Sequence, residues 1–113
     1  MGWIGVDLDG TLAEYDGWKG IDHIGTPIPK MLQRVKDWIK DGKTVKIMTA
    51  RVHPNQDRRK LEVTKYWIAK WCLEYIGEEL EITCEKDMEM EELWDDRCIQ
   101  VVPNTGERVD GKE

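Results

Sequence analysis

A chain of 113 residues has room for one hydrophobic core and one domain, spanning 1–113, and little for a second lobe. With 40% hydrophobic and 35% charged residues, it has the balance of a folded globular chain and not of a disordered one. A net charge of −6 argues against holding nucleic acid through a broad basic surface, but not against an enzyme that grips one phosphate locally.

Residues 3–8 (Trp-Ile-Gly-Val-Asp-Leu) are apolar and β-prone, which predicts a buried strand with Asp7 at its C-terminal tip. Residues 10–27 carry four glycines and Pro27, and read as a loop or short hairpin. Pro27 and Pro29 then open a helix. Ile28, Met31, Leu32, Val35, Trp38 and Ile39 recur at helical spacing on one stripe, and Asp41-Gly42 ends it. Residues 44–49 read as the second strand. A long helix is predicted from Pro54 to about Tyr75 or Ile76, stopped by Gly77. Leu61, Ile68, Cys72 and Tyr75 form one stripe. Val63, Trp67 and Trp71 form a neighbouring one, with Trp67 and Trp71 read first as core and the wide face as a candidate homo-oligomer contact. Residues 80–84 read as a third strand. Leu93-Trp94 lead into Asp95-Asp96, and residues 98–102 read as a further extended stretch.

Strands alternating with helices predict an α/β fold, with a small, mainly parallel sheet and helices on both faces, hence three layers. Such sheets place their sites at the carboxyl ends of the strands, where the strand order reverses. The cysteines Cys72, Cys84 and Cys98 are odd in number and form no C-x-x-C pair, so a reducing, cytoplasmic setting is expected. No apolar run approaches the roughly 20 residues that span a membrane, and no leader precedes the first strand.

The chemistry concentrates in Asp7-Leu8-Asp9-Gly10-Thr11 and Asp95-Asp96, two acidic pairs that each follow a short apolar lead. Carboxylates gathered at about 4 Å repel by roughly 4 kcal/mol per pair at an effective dielectric near 20, and a divalent cation removes that cost. An all-oxygen donor set of this kind suits Mg²⁺.

Asp7-Leu8-Asp9-Gly10-Thr11-Leu12 after an apolar strand resembles the first motif of the haloacid dehalogenase (HAD) superfamily. Thr49 at a strand tip resembles the second, Lys86 the third, and Asp95-Asp96 the fourth in its adjacent-acid form. Only 18 residues separate Asp9 from Ile28 and 36 separate Thr49 from Lys86, so the chain is similar to the capless members, with an open Rossmann-like domain. The resemblance implies a Mg²⁺-dependent phosphatase acting on a phosphorylated substrate. Asp7 would be the nucleophile that forms an aspartyl-phosphate, and Asp9 the general acid and then base. Asp7, the Asp9 carbonyl, Asp95 and Asp96 would hold the metal. Thr49 and Lys86 would hold the transferring phosphoryl oxygens, with Leu8, Gly10, Thr11, Ala50 and Arg51 lining the substrate site.

Two other readings compete. Asp95-Asp96-Arg97 is similar to the signature of polynucleotide 3′-phosphatase domains, so a nucleotide or a nucleic-acid end is an alternative substrate. Tyr15 or Trp18 would then stack on a base. A non-catalytic metal- or phosphate-binding regulatory module is the alternative of another class, and the presence of both Asp7 and Asp9 speaks against it.

Overall fold

Residues 2–113 are described by the structure, a computed structural model. Strand β1 (Trp3–Val6) is buried at every position, as a central strand must be. Helix α1 (Pro29–Lys40) begins with Pro29, whose fixed φ suits a first turn, and ends before Gly42 in the left-handed region at φ 82°. Strand β2 (Val45–Met48) follows. A short 3-10 turn, Ala50–Val52, then leads to helix α2 (Arg58–Tyr75), strand β3 (Glu81–Thr83) and strand β4 (Met90–Trp94). The sheet is wholly parallel in the order β3-β2-β1-β4. The fold is thus a small Rossmann-like α/β architecture of four parallel strands and two helices. Neither the loop before α1 nor the segment containing α2 holds a cap.

Two boundaries differ from the sequence reading. Helix α2 starts at Arg58 and not near Pro54, because the Asp57 carboxylate caps it by accepting from the Lys60 N–H at 3.1 Å. The last strand is Met90–Trp94. The stretch 98–102 contributes only an isolated bridge between Val101 and Arg108. The run Glu89-Met90-Glu91-Glu92 looks too acidic for a strand, but β4 lies at the sheet edge, where Glu91 and Glu92 are exposed and Met90, Leu93 and Trp94 are half-buried. Charged side chains on an edge discourage pairing with another chain.

The core lies on one face of the sheet. Ile4 pairs with Val45, and Val6 stands between Ile47 and Trp94. These side chains pack with Met31 and Val35 of α1 and with Ile68, Trp71 and Cys72 of α2. Trp38 of α1 stacks on Trp94 at 5.2 Å. The six-residue connection from β3 to β4 holds no helix.

Trp3 covers much of the opposite face. Its indole lies across Gly5, where a Cβ would come within 3.1 Å of the ring, and its Nε1 donates to Asp87 Oδ1 at 2.8 Å. The Lys46 ammonium sits 4.5 Å above the same ring. Trp71, grouped above with Val63 and Trp67, is 6% exposed and donates its Nε1 to the Gly25 carbonyl at 2.9 Å, so it belongs to the core. Among the described residues, no helix is long and apolar enough to cross a membrane.

Candidate functional site

The chain steps from β1 to β2 to β3 in one direction, then returns to place β4 on the far side of β1. The carboxyl ends of β1 and β4 therefore flank the point where the order reverses, and a crevice opens there. Asp7 follows β1 directly, and its N–H donates to the Trp94 carbonyl at 2.9 Å. Asp95 and Asp96 follow β4 directly. Asp7, Asp95 and Asp96 each offer an oxygen, and these atoms lie within 4.8 Å of one another. Burial, then the neighbouring Asp95 charge and a hydrogen bond with Asp96, push the Asp7 carboxyl up to about 7.

The loop after β1 is tied to the tip of β4. Thr11 Oγ1 donates to Asp96 Oδ1 and accepts from the Asp96 N–H, both at 2.9 Å. Thr11, expected to line the substrate site, is thus the latch that orients a metal-ligating candidate. Gly10 makes the turn possible. It sits at φ 89°, and a Cβ there would lie 2.6 Å from Asp96 Oδ2. The Leu8 side chain is fully buried, while its carbonyl accepts from the N–H groups of Leu12 and Ala13.

Thr49 ends β2 and is buried. Its N–H donates to the Thr83 carbonyl, and its hydroxyl accepts from the Arg51 N–H at 3.2 Å, capping the 3-10 turn. That turn carries Ala50 to the rim and sends Arg51 back over the site. Arg51 Nε donates to Asp9 Oδ2 at 2.7 Å and Nη2 to Asp9 Oδ1 at 2.8 Å, a two-pronged clamp, and Nη2 also donates to the His23 carbonyl. The Arg51 side chain is 5% exposed, its Nη1 is buried without a hydrogen-bond partner, and the Trp18 ring lies 4.8 Å from its Cζ. The Asp9 carboxylate faces Arg51 and is not part of the three-acid cluster.

A cavity of about 870 Å³ covers these groups, with Asp7, Asp9, Thr49, Ala50, Arg51, Asp95 and Asp96 in its wall. Lys86 is exposed and is not among the lining residues, whereas Lys60, from the first turn of α2, is. Sequence reasoning missed Lys60. The Asp57 cap, with α2 following the tip of β2, was the signal that could have found it. Tyr15, Trp18, His53 and Arg97 complete much of the rim.

No protein-family model and no curated protein sequence matches the chain. Among solved structures, it is similar to one described as a conserved protein coded by a locus from Bacteroides thetaiotaomicron. The TM-score is 0.56 at 19% identity, and the match covers 89% of this chain and 80% of that one. At that identity the likeness concerns the fold alone: a near-complete domain with the same arrangement of chain.

Proposed function

We propose that this chain is a Mg²⁺-dependent phosphohydrolase of the HAD type, with Asp7 as the nucleophile. The observation that carries the reading is the convergence of Asp7, Asp95 and Asp96 from two adjacent strand tips to within 4.8 Å. Three ionised carboxylates at that spacing destabilise one another unless a proton or a cation sits among them, and all-oxygen donors favour a hard divalent ion. Bound there, Mg²⁺ would neutralise charge on the transferring phosphoryl group and hold the Asp7 carboxylate ionised.

The protein's own groups would do the rest. One oxygen of Asp7 attacks phosphorus, and the ester oxygen leaves, giving an aspartyl-phosphate that water then hydrolyses. Asp9 hands a proton to the leaving oxygen and later takes one from the water. Both of its oxygens accept from Arg51 in the resting arrangement, so one of them must leave its Arg51 partner and take a proton from solvent before Asp9 can act as the acid, while the other keeps Asp9 positioned. The Thr49 hydroxyl and Lys60, rather than the exposed Lys86, are the groups in the cavity wall suited to the phosphoryl oxygens. The substrate is a phosphomonoester entering an open cavity. Exposed Tyr15 and Trp18 on its rim favour, as a second reading, a nucleotide or nucleic-acid end. The free cysteines Cys72, Cys84 and Cys98 support a cytoplasmic setting.

The test is hydrolysis of p-nitrophenyl phosphate. Turnover with Mg²⁺, lost on chelation and in Asp7→Asn, is the expected result. Equal turnover by wild type and Asp7→Asn would reject it. A Mg²⁺-induced rise in melting temperature, absent in Asp7→Asn, gives a readout independent of turnover.

A further inference from the structure

Arg51 has more hydrogen-bonding capacity than the protein uses. A guanidinium presents five N–H donors in a fixed planar fork. The edge formed by Nε and Nη2 is spent on Asp9, and Nη2 also serves the His23 carbonyl. That leaves Nη1, with two N–H groups on the side remote from Asp9, buried and without a partner. Leaving a buried donor unpaired is costly, more so on a charged group, so each such group in a native structure calls for an explanation. The side chain is 5% exposed, so bulk solvent has little access to it. The Trp18 ring lies against the guanidinium, its centroid 4.8 Å from Cζ, and Trp18 is itself 56% exposed and lines the same cavity. A side chain so exposed can tilt away at little cost in packing.

We propose that Nη1 of Arg51 is a subsite for a second anionic group, a carboxylate or a further phosphate, on the leaving portion of the substrate. This rests on the phosphohydrolase reading, in which the three-acid cluster takes the transferring phosphate. It adds that the substrate carries two anions, one at Asp7 and one at Arg51. Lys60 and Arg97 also line the cavity and add positive charge to its wall. The arrangement also links specificity to the proton donor, since the residue that holds the second anion is the one that positions Asp9.

The experiment is calorimetric titration of the full chain, with Mg²⁺ in excess, against propylphosphonate, 3-phosphonopropionate and propane-1,3-bisphosphonate. The two doubly anionic probes should bind about ten- to a hundred-fold more tightly than propylphosphonate, the range of one or two charge-assisted hydrogen bonds. The tighter of the two identifies the anion as carboxylate or phosphate. Arg51→Gln should erase the preference. Should that variant fail to fold, Arg51→Lys keeps a charge for Asp9 but has no nitrogen to spare, and it too should lower the preference. Binding of all three probes within two-fold in the wild type, or no binding of any, overturns the proposal. So does a preference that survives in folded Arg51→Gln, which would assign the anion to Lys60 or Arg97. Turnover of p-nitrophenyl phosphate is scored separately. Its absence beside an intact binding preference would reject the reaction and leave the subsite, and the reverse outcome would do the opposite.

Discussion

Asp7 shows how burial and like charge set the behaviour of a single carboxyl. Its folded-state value of about 7 lies above the 3.8 of a free aspartate, so the protonated form is the one the fold favours. The sign follows from linkage: this group's contribution to stability is complete below about pH 4 and is lost as the pH rises through 7. Metal-free protein should therefore lose melting temperature between pH 5 and pH 8 on this account, and Asp7→Asn should remove that slope. At pH 8 the substitution should stabilise the metal-free protein by about 2 kcal/mol, a value reduced for partial solvent screening. Thermal melts of both proteins at the two pH values check this, and added Mg²⁺ should raise the wild-type melting temperature more at pH 8 than at pH 5. Gly10 is the second residue whose role is local. An alanine there meets both a left-handed backbone and the Asp96 carboxylate, so Gly10→Ala should cost about 1–3 kcal/mol and shrink the Mg²⁺-induced shift. That Asp7, Asp95 and Asp96 would meet was legible, because acids following apolar strands are visible in the sequence. The Arg51 clamp on Asp9 was not. A span of 42 positions joins them, and only the turn at Ala50–Val52 decides which way the guanidinium points.

Elements with a clean apolar period were read well, and those whose environment overrides composition were not. In α1 the stripe that includes Met31 and Val35 faces the sheet as its spacing requires. In α2 two neighbouring stripes left open which would be inside. The helix settles toward Ile68, Trp71 and Cys72, leaving Val63 and Tyr66 outside at 39% and 58% exposure. Ile68 is fully buried within that seam, so Ile68→Ala should cost about 3 kcal/mol, measured as a shift in denaturant midpoint without a change in slope. Trp71→Phe keeps the ring but abandons the Gly25 carbonyl, and should cost about 1 kcal/mol in the same measurement. Strand β4 escaped notice because an edge strand tolerates the very charges that mark a segment as non-strand.

For the molecule as a whole, alternation of strands and helices was enough to give a parallel α/β sheet, and the order β3-β2-β1-β4 accounts for where the crevice lies. That order has a kinetic consequence. Every tie between the β1 tip and the β4 tip, including the Thr11–Asp96 pair at a separation of 85 positions, closes a loop of about three quarters of the 113-residue chain. Such closures come late in folding, because their entropic cost is repaid only once the intervening elements are in place. A nascent chain that has emerged only as far as β3 would already display Asp7 and Asp9 yet lack the acids that answer them. Completion of the sheet and assembly of the three-acid cluster are one event, so on the proposed function a half-made protein would hold no complete cation site.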